Sequence, residues 1–343
     1  MLTMHAALKP TVLVTGASGF VGSHIIEALA QQPALHLIAA CRNRTKLPAA
    51  FHNEIREGDI HDPAYLASLF QGVDIVCNAF AWTSAWGHAT QSRELMLKPS
   101  LSLIDAAKAA GVKRFINTST TSAAAPVRSH DPDSLGIPRK LWPHLANVVA
   151  IENYLRQQAT NYFQVFNLRL GLFAGRRYGL GLLPMLLPRL KTHLVPWVNS
   201  GNTSMPITDG RDIGQAFACA VLTPGLANYE GFNIVGPVIP RAREVIEFLH
   251  TRWGYPLPHF SVPFVLAYPF ARVMEWLDLV VPWEPLVTRS IIHLLEEVNV
   301  NNAKAGTLLN YEPHYDWREA IEQQMLEMQR SPKRFVKMAT PMH

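Results

Sequence analysis

From the N-terminus to Gly171, short runs of consecutive apolar residues alternate with stretches whose apolar positions recur every three or four residues. TVLVTG, LHLIAAC, EIREGD, DIVCNAF, KRFINTST and YFQVFNLRL are of the first kind; their length and β-branched or aromatic content predict strands. FVGSHIIEALAQQ, PAYLASLF, SLSLIDAAKAAG and NVVAIENYLRQQ have the helical spacing. Strands that lack polar alternation are buried on both faces. Their alternation with helices therefore predicts a doubly wound, parallel-sheet α/β domain. This domain is expected to span 8–178 and to be completed by about 204–236. Past Gly171 the rhythm changes: LLPMLLPRLKTHLVPW is apolar and broken by prolines, and the chain from REVIEFLHTRWG onward reads mostly as helix. Segments 179–203 and 237–330 are assigned to a smaller, mostly helical substrate-binding domain, and 331–343 to a flexible basic tail. No internal repeat interrupts this plan.

The first strand runs into VLVTGASGFVGS, which places Gly16, Gly19 and Gly22 at the opening of the first helix, with Ser18, Phe20 and Val21 in the same turn. The first glycine allows a tight turn. The second lets a pyrophosphate approach the unpaired N–H groups of the helix N-terminus, and the third lets helix and strand pack closely. A glycine triplet also fits an ordinary strand–helix turn; here strand, turn, helix and the next strand agree on a dinucleotide site. At the end of the second strand an acidic residue would bind a ribose 2′-hydroxyl. The chain instead has ACRNRTK, with Arg42 and Arg44 and no carboxylate. Guanidinium groups suit a 2′-phosphate, so NADP(H) is the expected cofactor; the plainer alternative is a solvated basic turn.

Composition narrows the classes. With 48% hydrophobic and 17% charged residues, the 343-residue chain can bury a large core. Its net charge of +5 is spread out, with no aromatic-interleaved basic stripe, so nucleic acid is not an expected partner. Cys41, Cys77 and Cys219 are far apart, which argues against a disulfide framework or zinc site and points to a reducing cytoplasm. His88, His193, His293 and His314 show no metal spacing, and no metal is expected. The N-terminus lacks the apolar run of a signal peptide. The greasiest stretch, SVPFVLAYPFA, has two prolines and about half the ~20 residues of a membrane span, so none is expected.

Together these residues resemble the extended short-chain dehydrogenase/reductase family, of the NAD-dependent epimerase/dehydratase type. TGASGFVGS is similar to its glycine motif. GDIHD resembles the strand end where an acid, here Asp59 with Ile60 beside it, contacts adenine. DIVCNAFA resembles the fourth-strand motif, which would set Ala79, Phe80 and Ala81 near the cofactor ribose. LIDAAKAAGVKRFINTSTTS runs into a fifth strand carrying Thr118. NLRLGLFAG is similar to the Arg-Pro segment after the sixth strand, with Leu170 where proline is usual. The C-terminal third is similar to the 3β-hydroxysteroid dehydrogenase and sterol-carboxylate dehydrogenase branch. The resemblance implies a Rossmann domain, a ligand in the cleft between domains, and cofactor contacts from all of these positions.

The same resemblance implies four active-site side chains: a Tyr, a Lys four residues later, a Ser or Thr on the fifth strand, and an Asn on an earlier helix. Aligned on Glu152 in PHLANVVAIENYL, the Lys position holds Val148 and the Tyr position His144. The fifth-strand position holds Thr120 and the Asn position Met96. Only Thr120 keeps the pattern. Shifting the frame does not restore the pair, because Gln158 follows Tyr154 and Phe166 follows Tyr162 at the Lys spacing. His144 is either a replacement acid–base titrating near neutral pH or a helix-start histidine satisfied by its surroundings.

The substrate side reads as apolar: Trp82 and Trp86 in FAWTSAWGH, and Tyr178 and Leu183 in the segment toward Trp197. These favour an apolar small molecule, steroid-, terpenoid-, quinone- or lipid-like, over a nucleotide sugar. Residues 260–283 form a second apolar stretch, a candidate lid, membrane-surface contact or protein interface. A homodimer is also compatible. Two functions follow as expectations: an NADP(H)-dependent oxidoreductase with a non-standard proton donor, or a silent NADP(H)-binding subunit or sensor.

Overall fold

The computed structural model describes residues 9–84, 87–177, 182–277 and 287–330. Its first strand, β1 (Thr11–Thr15), leads through the glycine turn into α1 (Phe20–Leu29). Then follow β2 (His36–Cys41), β3 (Glu54–Glu57), α2 (Pro63–Leu69) and β4 (Ile75–Asn78). Helix α3 (Ala89–Ser92) continues through a π-helical turn, Arg93–Leu97, into α4 (Lys98–Ala109). Next come β5 (Arg114–Thr120), α5 (Pro143–Gln158) and β6 (Gln164–Leu170). Pro143 occupies the first turn of α5, where a missing N–H costs nothing.

The order β10-β6-β5-β4-β1-β2-β3 makes a seven-stranded sheet, parallel throughout, in which β10 (Tyr229–Ile234) pairs with β6. The order reverses between β1 and β4, the point at which open α/β sheets bind ligands beyond their C-terminal strand ends. One face carries Val12, Val14, Ile116 and Phe166 against α1 and α7 (Gly210–Leu222). The other carries Leu13, Val76, Phe115 and Val165 with Leu103, Ile151 and Leu155 from α4 and α5. Helices α1 and α7 touch at glycine: a Cβ on Gly214 would lie 2.4 Å from the His24 carbonyl oxygen.

The remaining elements are β7 (Leu172–Ala174), α6 (Leu182–Leu190), β8 (Trp197–Val198), β9 (Ile207–Asp209), α8 (Ala242–Trp253), β11 (Ser261–Val262), α9 (Phe264–Leu277), α10 (Arg289–Leu294), α11 (Ala303–Leu309) and α12 (Trp317–Arg330). The segment MPITDG forms β9, which pairs with β7 outside the main sheet. A separate core of Leu183, Leu187, Trp197, Val245, Leu249, Trp317 and Ile321 joins α6, α8 and α12.

A buried polar row crosses the sheet and fixes α5. Thr15 donates to Asn78 (2.6 Å), Asn78 to Asn117 (3.0 Å) and Asn117 to Asn167 (2.9 Å), each pair directly opposite in register. Asn167 donates to Glu152 on α5 (2.8 Å), whose carboxylate also accepts from Ser119 (2.5 Å) and from both Nε (3.0 Å) and Nη2 (2.6 Å) of Arg169. Glu152 and Arg169 are both buried. This anchor sets the rotation of α5, and with it the directions of Val148 and His144 one and two turns earlier.

Candidate active site

The glycine turn is built so that backbone closes on backbone. Gly16 has φ +60°, and a Cβ there would stand 2.5 Å from the Ala79 carbonyl oxygen; one on Gly22 would stand 2.2 Å from that of Gly16. Gly19 is the N-cap of α1 and offers no side-chain cap, so the N–H groups of the first turn are left for an anion. Ser18 and Phe20 are half-buried beside it, and Val21 is buried. Across the switch point, Ala79 and Phe80 are half-buried and Ala81 exposed. Thr118 Oγ1 is buried without a hydrogen-bond partner among the described residues. A close-packed glycine cradle, open N–H groups and an orphaned hydroxyl at one sheet edge fit a dinucleotide.

The two arginines after β2 differ. Arg44 is folded onto Glu57 at the end of β3: its Nε lies 2.7 Å from one carboxylate oxygen and its backbone N–H donates to the other at 3.1 Å. That pairing holds the Glu57 carboxyl below its ordinary range. Arg42 is exposed and has no ion pair among the described residues. Asp59 accepts the backbone N–H of His61 at 3.0 Å, which lowers its pKa and keeps it ionised, and Ile60 is half-buried beside it.

Leu170 stands opposite Thr120 in register at the end of β6, with its side chain 0% exposed in the sheet core beneath α1 and α7; Leu183, also 0% exposed, packs in the core between α6 and α8. Trp86 and Tyr178 are outside the described residues.

Helix α5 and the π-turn bring the replaced positions together. Val148 and Met96, each 8% exposed, belong to one apolar cluster with Phe80 and Trp82 packed on it. Met96 Sδ takes the backbone N–H of Trp82 at 3.5 Å. His144 packs edge-on to Trp82 at 6.1 Å between ring centroids and tilted against Trp142 at 6.5 Å. Its Nδ1 lies 3.4 Å from Ser92 Oγ, which accepts from Asn147 Nδ2 at 2.9 Å. Ser92 Oγ, with one lone pair on Asn147, can either donate to His144 Nδ1 or accept an Nδ1–H from it, according to the imidazole tautomer. Ser92 and Asn147 escaped the sequence reading, which held no signal linking α3 to α5.

The alternative tyrosines are accounted for. Tyr154 donates its hydroxyl to Asp105 on α4, and Tyr162 is 89% exposed. Thr120 is half-buried; its Oγ1 accepts the Ser122 N–H at 3.2 Å and lines a cavity of about 20 Å³, room for one water, with His293 and Leu172 on other walls.

One expectation is corrected by the environment. His144 does not titrate near neutral pH: burial lowers its pKa to about 4. Burial also brings His24, packed under α7, to about 4. Both folded values lie below the unfolded 6.5, so the stability they contribute is present above about pH 6.5 and is lost as pH falls toward 4. Lowering pH from 7 to 5 should cost roughly 2 kcal/mol through His24, and less through the partly exposed His144. Urea midpoints at the two pH values check this, and His24→Gln should remove the larger part. An unchanged midpoint in the parent protein would refute it.

The NAD dependent epimerase/dehydratase family matches residues 12–234. The chain belongs to that family. A 2-alkyl-3-oxoalkanoate reductase of Stenotrophomonas maltophilia is 26% identical over 298 residues, 83% of this chain and 88% of that protein. A 3β-hydroxysteroid dehydrogenase/Δ5→4 isomerase of Mycobacterium tuberculosis is 31% identical over 119 residues, 32% of each chain. Among solved structures, UDP-glucuronic acid 4-epimerase of Bacillus cereus, bound to UDP-glucuronic acid and NAD, superposes with a TM-score of 0.70 at 20% identity. That alignment covers 93% of this chain and 99% of the epimerase. The extended short-chain fold and a nicotinamide dinucleotide enzyme ancestry follow from the family.

Proposed function

We propose that the protein is an NADP(H)-dependent oxidoreductase that reduces a bulky apolar carbonyl or enone compound without the family's Tyr–Lys pair. One observation carries this: the cofactor cradle is complete, while what α5 and the π-turn bring toward it is Val148, Met96, Trp82 and an uncharged His144. Such a wall gives a sugar diphosphate few hydrogen-bonding partners and gives an alkyl or ring system a large contact area. The relative that acts on 2-alkyl-3-oxoalkanoates supports this substrate class.

When bound, NADPH supplies a hydride. Thr120, whose oxygen already accepts from Ser122, has its own O–H left to donate to a substrate oxygen. In the tautomer protonated on Nε2, neutral His144 offers a second donor, polarising without transferring charge. Val148 and Met96 exclude water where a lysine would have stood. The proton that completes the alcohol comes from water through Thr120.

Arg42 supports the choice of NADP(H). Calorimetric titration should give tighter binding of NADPH than NADH, with Arg42→Ala weakening NADPH alone by roughly 1–3 kcal/mol. Arg44→Ala should do less, because Glu57 already holds that guanidinium. Equal affinities for the two cofactors would refute the assignment. With NADPH present, long-chain 3-oxo compounds, steroids or quinones should raise Tm, and nucleotide sugars should not; stabilisation by a UDP-sugar alone would restore an epimerase reading.

A second reading rests on the same helix. Val148 can neither grip a ribose nor stabilise a phenolate, which also suits a catalytically silent NADP(H)-binding subunit acting through a partner. Tight NADPH binding with no oxidation by any ligand that raises Tm would favour it.

A further inference from the structure

Helix α9 is apolar on both sides, and among the described residues only one side is covered. Ala267 and Ala271 are buried against Val198, Val287 and Ile292. On the other side Val265 is 85% exposed, Leu266 56%, Val273 53% and Trp276 62%, with Pro269 exposed between them. These positions recur turn after turn and form one stripe. Phe260 and Leu194 are also exposed, and their neighbours His259 and His193 are 3.3 Å apart. A helix that is apolar all round belongs inside a core or against another apolar phase.

Charge decides the occupant. The acid of α9, Glu275, is 5% exposed and turned inward, its carboxylate paired with Arg289 Nε at 2.6 Å and accepting the Arg289 N–H at 2.7 Å. Arg272 is therefore the one ionised side chain the outer face of α9 presents among the described residues, and its guanidinium lies 5.3 Å from the Trp276 ring. Among the described residues the outer face of α9 presents no carboxylate to pair with the Arg272 of a second copy. An anionic bilayer surface is complementary: aliphatic side chains enter the acyl boundary, Trp276 sits at headgroup level, and Arg272 meets the phosphates. Fourteen residues give about 21 Å, short of the ~30 Å hydrocarbon core, so α9 would lie in the interface. No described helix is long and apolar enough to cross a membrane.

We propose that the outer stripe of α9 docks the protein on an anionic lipid surface. This stands apart from the substrate reading, because it uses no residue of the cofactor cleft. The test is flotation of the full-length protein with phosphatidylcholine vesicles, with and without phosphatidylglycerol. Phosphatidylglycerol should raise the partition coefficient about fivefold, salt should reduce it, and Arg272→Gln should abolish the preference. Val265→Asp with Trp276→Ser should lower binding about tenfold while NADPH affinity and Tm stay unchanged. Equal binding to both vesicle types, binding that survives the double substitution, or no vesicle binding by a protein whose dimer that substitution dissociates would each overturn the proposal.

Discussion

Replacing His144→Tyr and Val148→Lys together should accelerate oxidation of secondary alcohols by roughly a hundredfold, the lower end of the 10²–10⁴ range for a positioned acid–base group. The two positions lie one turn apart on α5, whose rotation is fixed by Glu152, so a Tyr and Lys placed there share one side of the helix. The lower end is expected because the new ammonium enters an apolar pocket lined by Met96, which costs stability and lowers the lysine pKa. The parent protein should be slow, and its rate should stay flat from neutral pH down to about 5, since His144 remains uncharged there. Comparing initial rates of parent, double variant and His144→Ala over pH 5–9 checks this. A fast parent enzyme indifferent to both His144→Ala and Thr120→Ala would mean that α5 is not the catalytic helix.

The second large effect concerns the anchor itself. Glu152→Ala should destabilise the fold by roughly 3–5 kcal/mol, because it strands the fully buried Arg169 guanidinium and releases Asn167 and Ser119. Chemical denaturation measures the loss. Glu152→Gln should recover part of it by keeping the hydrogen bonds from Asn167 and Ser119. A cost below about 1 kcal/mol for Glu152→Ala would place the weight of this row elsewhere.

Much of the fold was legible because its strands are apolar on both sides. TVLVT and HLIAAC have the apolar runs of a covered parallel sheet, and they form its neighbouring strands β1 and β2. The glycine turn was equally legible, since contacts that exclude a Cβ leave glycine as their trace. What escaped the sequence depends on residues distant along the chain. The sequence RELML has the spacing of an ordinary helix, yet it forms the π-turn that carries Met96. Arg44 meets Glu57 because Cys41 and Glu57 are register partners, which the sequence does not state. The burial that depresses the His144 pKa involves Trp82 and Trp142, which pack on its ring from different segments. Apolar spacing also could not say that Leu170 and Leu183 face cores while Val265 and Trp276 face outward.

The central claim, that an intact NADP(H) cradle faces an apolar carbonyl site, is tested most directly by a single turnover. Enzyme loaded with NADPH is mixed with a long-chain 2-alkyl-3-oxoalkanoate, and the absorbance of the reduced nicotinamide is followed. The account predicts its loss in one exponential phase, slowed by Thr120→Ala, and no loss with UDP-glucuronic acid. An absorbance that stays constant with every apolar ketone that binds would contradict it.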